Sequence, residues 1–348
     1  MHELPLTIVC YRLEPNRGIE RATIALAHAL AREMSVEVLV LRGDCPDSEA
    51  FTIKSGFGAR LTLIRRLADA SRTIIVSGVW AAAVSRLCGV HRCRLIIWEH
   101  SMSPGRLVRS ASVRRSFHIA ESLYRRADQL IAVSEVVSGE LRTIPGHAPV
   151  QVIPNLLTDS FDHDRTATPD ARLVVAVGGL VPEKQMTILP DVLAGLDEDV
   201  EMLILGDGPD RAAIESRASR LGVSHRLRLP GFVADVAPYL AKAGVFISTS
   251  ESETFGLAVL ESGVARVPVV AVDIPALREL IPEFVPGVLV DRSPEALSRA
   301  VEAALMGAID VSDEATAQRR RSRFSVGAIT ASWVSAIDGE SGVCADTG

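Results

Sequence analysis

Residues 246–263, FISTSESETFGLAVLESG, concentrate the chemistry of this chain of 348 residues. An apolar run ends in a polar loop, and the apolar period that follows predicts a helix starting near Phe255. The N–H groups of Thr254, Phe255, Gly256 and Leu257 would then precede the first intrahelical bonds, and the helix dipole favours an anion there, so a phosphate fits without a side-chain cation. Gly256 would let the backbone come close. Glu253 precedes this turn and Glu261 follows about six residues into the helix, roughly 9 Å at 1.5 Å per residue, close to a phosphate-to-ribose span. Glu261 is placed to accept from vicinal ribose hydroxyls, and Glu253 faces whatever lies beyond the phosphates. The same spacing also suits a capping carboxylate and a solvated helix face.

The elements that must position these residues alternate. Val- and Ile-rich runs separated by helix-period stretches suit parallel strands buried on both faces. Strands are expected at Leu6–Cys10, Val36–Leu41, Thr73–Val76, Arg94–Trp98 and Gln129–Val133, with helices near Gly18–Glu33, Leu61–Ala70, Val79–Leu87, Val108–Arg126 and Val136–Arg142. A stretch rich in Pro, Thr and Asp between His147 and Ala171 reads as a connection. Strands are then expected at Arg172–Val177, Glu201–Leu205, Arg226–Leu229, Gly244–Ser248, Val267–Val272 and Val288–Val290. The fold class is α/β, two doubly wound units. A tail from Arg319 to Glu340 has Phe324, Ile329, Trp333 and Ile337 on one helical face, and 341–348 read as a frayed end.

Composition narrows the functions. Lys+Arg outnumber Asp+Glu by 20 to 14 up to Leu157, and the balance reverses to 17 against 29 beyond it. Nothing here indicates nucleic acid. The five cysteines (Cys10, Cys45, Cys88, Cys93 and Cys344) are odd in number and scattered, which fits reduced thiols. The opening MHELPLTIVCYR lacks a basic leader, and no run approaches the ~18 apolar residues of a membrane span. A cytoplasmic chain is expected. Residues 106–126 form a basic amphipathic pattern, with Val113, Phe117, Ala120 and Tyr124 at helical spacing, which leaves room for peripheral membrane contact or for packing on the sheet.

The pair Glu253-x7-Glu261 with Phe255-Gly256 between them resembles the signature of retaining GT-B glycosyltransferases of the family 4, group 1 kind, which use nucleotide-sugars. Further resembling segments follow in order: GIERATIALAHALA (18–31), Trp98-Glu99-His100, ADQLIAVS (127–134), VIPN (152–155), VGGLVPEK (177–184), LGDGPD (205–210), LPGFV (229–233) and the stretch from Phe246 to Leu280. The resemblance implies two facing Rossmann-like domains: an acceptor-side domain over 1–157 and a donor domain over 158–325, with a helix over 326–340 crossing back to the first. Glu253 matches the carboxylate on sugar hydroxyls, Glu261 the one on ribose, Lys184 the lysine on the diphosphate and His100 the histidine that reaches the donor sugar. Thr254, Phe255, Gly256 and Leu257 would form the phosphate turn, Gly206 would line the nucleotide side, and Val233 would meet the base. The chain has three lysines against 34 arginines, so a lysine at this position is less easily chance.

The implied activity is metal-independent, retaining transfer of a hexosyl-type unit to a hydroxyl of a saccharide, lipid-linked or small-molecule acceptor, with no cofactor. A cation beside the diphosphate does the work of a metal. The chain departs from the pattern in places. Gly179 stands where an arginine usually joins the lysine, Arg266 where a glycine is usual, Arg17-Gly18 at the double glycine of the first loop, and Leu156 where a glycine follows Asn155. Arg17, Arg211 and Arg266 are candidates to replace the missing cation. A non-catalytic nucleotide-sugar or glycan binder and a sugar-nucleotide epimerase remain as alternatives.

Overall fold

The computed structural model describes residues 5–13, 18–43, 48–88, 92–100, 111–157 and 170–339, and for 111–117 the backbone alone. Two compact units are present, Met1–Leu156 with Phe324–Gly348, and Leu157–Arg323.

The first unit is built on β1 (Leu6–Cys10), β2 (Val36–Val40), β3 (Thr52–Ser55), β4 (Thr73–Ser77), β5 (Arg94–Glu99), β6 (Gln129–Ala132) and β7 (Val150–Val152). Its helices are α1 (Gly18–Ala31), α2 (Gly56–Leu67), α3 (Gly78–Leu87), α4 (Ala111–Tyr124) and α5 (Glu135–Arg142). The strands pair in parallel in the order β3-β2-β1-β4-β5-β6-β7. Ile8, Val9, Val38, Leu39, Ile74, Ile75, Ile96 and Ile97 are all fully buried, which is why runs apolar at almost every position read as parallel strands.

The second unit holds β8 (Asp170–Val177), α6 (Leu189–Ala194), β9 (Glu201–Leu205), α7 (Arg211–Arg220), β10 (Leu227–Gly231), α8 (Ala237–Leu240), β11 (Ala243–Ser248), α9 (Leu257–Val264), β12 (Val269–Val272), α10 (Pro275–Arg278), β13 (Gly287–Val290), α11 (Pro294–Leu305) and α12 (Glu314–Phe324). Its sheet runs β10-β9-β8-β11-β12-β13, again parallel. In each sheet the order reverses once, at β1/β4 and at β8/β11. Crossovers leave the two strands there in opposite directions, so the space beyond their C-terminal ends is left open for side chains.

The tail is two helices rather than the expected single run. Ser325 adopts extended backbone and its hydroxyl accepts from Ala328 N–H, capping α13 (Val326–Asp338) and breaking it from α12. Trp333 of α13 packs edge-on against Trp98 at 5.2 Å, and Arg94 donates to Ala336 O. The expected helix 106–126 begins at Ala111 within the described residues, and Ala120, Leu123 and Tyr124 of its apolar stripe are buried in its own domain. The expected connection His147–Ala171 holds β7 (Val150–Val152) and the first residues of β8, because Val150–Val152 pair with β6, while residues 158–169, the end 341–348, Arg17, Cys45 and Cys344 lie outside the described residues. Cys10, Cys88 and Cys93 are free thiols, and burial pushes Cys93 up to about 11.

Two loops of the second unit cross backbone to backbone. Gly178 N–H donates to Leu205 O, Gly206 N–H to Gly231 O, and Leu180 N–H to Asp207 O. A Cβ at Gly206 (φ +146°) would sit 1.8 Å from Gly178 O, whereas one at Gly179 would meet nothing closer than 3.9 Å. Gly206→Ala should therefore lower unfolding stability by about 2–4 kcal/mol, by strain and by displacement of the β8 loop, while Gly179→Ala stays within ~1 kcal/mol of wild type. Urea titration of both variants checks this contrast.

Candidate functional site

The β8/β11 reversal brings together residues far apart in the chain. After β8, Gly178 and Gly179 lead into a 3-10 turn over Pro182–Lys184, closed by Gln185 in the left-handed region at φ +51°. After β11, residues 249–256 form the polar loop. Thr249 Oγ1 donates to Lys184 O (2.8 Å), Glu251 N–H to Glu183 O (3.0 Å), and Gln185 Nε2 to Glu251 Oε2 (3.3 Å). These bonds lay one loop along the other.

Lys184 Nζ donates to Glu253 Oε1 as an ion pair, and Ser250 Oγ donates to the same oxygen at 2.9 Å. The two charged side chains are 27% and 16% exposed, so they reach solvent yet are partly screened from it. The lysine stem runs beside Gly178, where an added Cβ would lie 3.7 Å from Lys184 Cδ and Cε. Ser250, Thr249 and Gln185 escaped sequence reasoning, because polar loop residues carry no period, and Thr249 and Gln185 meet partners some 65 residues away.

The helix after this loop starts at Leu257, two residues later than expected. Phe255 is buried in the core and Gly256 turns the chain at φ +92°, where a Cβ would meet Leu277 Cδ2 at 2.8 Å. The first intrahelical bond runs from Leu260 N–H to Gly256 O, so the anion-facing N–H groups are those of Leu257, Ala258 and Val259 rather than Thr254 and Phe255. Glu261 then lies about 6 Å along the helix from Leu257 instead of 9 Å. It is buried, which removes the alternative of a solvated face.

The candidate replacement cations fare differently. Arg211 Nη2 donates to Leu229 O at 2.7 Å and Nε to Glu215 at 3.0 Å, so its guanidinium is committed within its own unit. Arg266 stands just past the C-terminal end of α9, about 14 Å from the anion-facing turn, and pairs with Glu314. Its φ of +53° is a left-handed position that glycine would occupy without strain. Gly206 lies at the loop crossing, and Val233 is half-buried two residues beyond the left-handed Gly231. Among the described residues no group of three His, Cys, Asp or Glu side chains is placed to hold a metal.

In the first unit His100 follows β5 and Gly18 opens α1. His100 is buried, its ring 4.1 Å from that of Trp98. Its backbone N–H donates to Glu99 Oε1 (2.8 Å), while Tyr124 O–H donates to Glu99 Oε2 (2.5 Å). Burial, and then the Glu99 charge, push the tyrosine well above its usual value. The imidazole Nε2 lies 3.3 Å from Ser77 Oγ at the end of β4, and Ser77 Oγ lies 3.0 Å from Thr23 Oγ1 of α1. Burial alone lowers His100 to about 3, so the ring is neutral at physiological pH. Glu99 could have been suspected from its place beside His100; Ser77 and Thr23 carry no sequence signal.

A group whose pKa is 6.5 unfolded and about 3 folded binds its proton first in the unfolded chain, so it erodes stability as pH falls from about 6.5 toward 3. Unfolding free energy should drop between pH 7 and 5 in wild type and drop less in His100→Gln, which has no proton to gain. Urea titrations of both proteins at the two pH values test the difference.

Two family models match consecutively, Glycosyltransferase Family 4 over residues 16–159 and Glycosyl transferases group 1 over 159–321. A lipopolysaccharide core biosynthesis glycosyltransferase, LpsE, of Rhizobium meliloti is 29% identical over 187 residues, 52% of this chain and 55% of that protein. A GDP-mannose-dependent alpha-(1-6)-phosphatidylinositol dimannoside mannosyltransferase of Mycobacterium tuberculosis is 38% identical over 141 residues, 39% of this chain and 36% of its own. The matches thus span about half or less of these relatives. The structure of Anabaena HepE in complex with UDP and glucose superposes with a TM-score of 0.80 at 19% identity, covering 97% of this chain and 100% of that one. The shared fold is GT-B, with two Rossmann-like domains.

Proposed function

The chain belongs to the glycosyltransferases of Family 4 and group 1, and we propose that within them it moves a hexosyl unit from a nucleoside diphosphate to an acceptor hydroxyl, with retention and without a metal. The observation that carries this reading is the Lys184–Glu253 pair in front of α9. It joins the cation and the carboxylate that a nucleotide-sugar needs on either side of its anomeric bond.

The pair is the resting state. An arriving diphosphate, doubly charged, takes Lys184 and the N–H groups of Leu257, Ala258 and Val259, and Glu253 is released to accept from sugar hydroxyls. Glu261 holds the ribose. In the transfer step the bond from the anomeric carbon to the phosphate oxygen breaks, the acceptor oxygen bonds that carbon on the same face, and its proton passes to the departing phosphate. Charge then accumulates on the leaving group, where a preorganised lysine and helix N-terminus stabilise it most. An arginine at Gly179 is not sterically excluded, so its absence leaves more of this task to Lys184. Non-catalytic binding and epimerisation predict no product linked to an acceptor.

Glu253→Gln leaves Lys184 without its competing carboxylate. Nucleoside diphosphate affinity should hold or rise a fewfold while turnover falls at least 100-fold, about 2.7 kcal/mol. Glu261→Ala should instead weaken nucleotide binding about tenfold or more. Calorimetry with UDP, GDP and ADP beside product assays separates the two, and equal loss of binding in both variants would reassign Glu253. Chelation with EDTA should leave transfer within twofold, and restoration of a lost activity by Mg or Mn would remove the lysine-only leaving-group site.

The acceptor, in this reading, is carried on a membrane. No described helix is long and apolar enough to cross one. Yet α2 shows Phe57, Leu61 and Ile64 to solvent at 75%, 45% and 45%, at positions i, i+4 and i+7, while Ala59, Leu63 and Leu67 bury its other face. Exposed Arg60 and Arg65 lie beside the stripe, and 50–68 contain no acidic residue. An apolar stripe between arginines suits an anionic bilayer surface. Two relatives are named for lipopolysaccharide core and phosphatidylinositol dimannoside synthesis, which agrees with it. Replacing Phe57, Leu61 and Ile64 by Ser should reduce sedimentation with phosphatidylglycerol vesicles at least tenfold, given ~1.5–3 kcal/mol for each such side chain fully buried. Equal binding of wild type to pure phosphatidylcholine, or none to either vesicle, would reject the surface.

A further inference from the structure

Ser77 stands at the N-cap of α3 with extended backbone, the position where a serine ordinarily accepts from the first turn of its helix, yet its hydroxyl makes no such bond. Ser134, at the same position before α5, does cap, accepting from Val137 N–H. Ser77 forgoes a contact commonly worth about 1 kcal/mol and turns its hydroxyl toward Thr23 and His100.

The protons in this chain can be counted. Thr23 has one hydroxyl hydrogen, and Ile19 O, 2.9 Å away, can only accept it. The 3.0 Å contact between Thr23 and Ser77 must then use the hydrogen of Ser77, donated to Thr23 Oγ1. Ser77 has none left, so at its 3.3 Å contact with His100 the ring nitrogen donates. The direction runs from His100 Nε2–H to Ser77, to Thr23, to the first-turn carbonyl of α1. No other hydrogen bond of the Nδ1 atom is made among the described residues.

We propose that Thr23 and Ser77 are positioning residues that fix His100 as the Nε2–H tautomer, so that Nδ1 presents a lone pair and accepts a hydrogen bond from a carbohydrate hydroxyl. The sugar hydroxyl rests on the glycosyltransferase reading; the tautomer stands without it. Glu99 holds the backbone of His100 and Trp98 flanks its ring, so the two ends of the residue are set by separate contacts. Burial keeps the ring neutral, which such an acceptor requires.

The test is a long-range proton–nitrogen correlation spectrum of the full chain labelled with nitrogen-15 histidine, with His100 identified among the eight histidines by its loss in His100→Gln. Wild type should show a neutral Nε2–H ring unchanged between pH 5.5 and 8. Thr23→Val keeps the shape but removes the acceptor of Ser77, freeing that hydroxyl to donate to Nε2, and should shift the ring toward Nδ1–H. Ser77→Ala should mix the tautomers and Ser77→Thr restore Nε2–H. Turnover should fall about tenfold in Thr23→Val and Ser77→Ala with KM for the donor within twofold, and recover in Ser77→Thr. An Nδ1–H ring in wild type, an unchanged tautomer in both Thr23→Val and Ser77→Ala, or a changed tautomer with unaltered turnover each overturns the proposal. Should wild type transfer no sugar from any donor, the function fails while the spectrum still decides the tautomer.

Discussion

A parallel sheet whose strand order reverses leaves its C-terminal edge uncovered at one place, and the chemistry of this chain depends on that constraint. At β8/β11 it sets the loops after Val177 and Ser248 side by side, although their key residues, Lys184 and Glu253, are 69 positions apart. Two backbone bonds, from Gly178 to Leu205 and from Leu180 to Asp207, and Gly206, which tolerates no side chain, then hold the β8 loop against the β9 loop. The ion pair is a consequence of this scaffold rather than its cause. Both partners are partly exposed, so the pair adds little to stability, and its charges stay available to a ligand that offers a better exchange.

On the proposed reading, such an exchange is why an ion pair suits a donor site better than an isolated lysine. A lysine waiting alone at a helix N-terminus would attract any phosphate, whereas one already neutralised by Glu253 yields only to a ligand that supplies both an anion for the lysine and hydroxyls for the carboxylate. A nucleotide-sugar carries both. Free phosphate carries one, and leaves Glu253 with a displaced partner and like charge nearby.

The fold was legible where burial dominates. Central strands such as Leu6–Cys10 and Glu201–Leu205 match their apolar runs because both faces are covered. Of the edge strands, β10 and β13 lie close to where the sequence places them, but β3 and β7 were not legible. Thr52–Ser55 is a polar tetrapeptide held by pairing with β2 and by Glu37, whose carboxyl lies below the usual range because hydrogen bonds from Lys54 and Arg66 outweigh the opposing effect of its burial. None of this has a local signature. The start of α9 was misplaced for a related reason: Phe255 carries the helical period but belongs to the core beneath the turn, and Gly256 rather than periodicity decides where the helix begins. Glu253, Glu261, Lys184 and His100 stand in motifs that single them out as candidates, whereas Ser77 and Thr23 meet only through a contact between residues 54 positions apart.

The two reversals solve opposite electrostatic problems. At β8/β11 the proposed transfer needs a cation to meet developing negative charge, and Lys184 is partly open to water. At β1/β4 Thr23, Ser77 and His100 are buried, and every proton in the chain from His100 to Ile19 has a donor and an acceptor. A protonated imidazole there would be a second cation without a counter-ion on its ring, and burial prevents it. On the proposed reading, His100 then offers direction, a lone pair held at one angle by Ser77, without carrying charge on its ring. Glu99 beside it accepts from Tyr124 O–H and from the backbone N–H of His100.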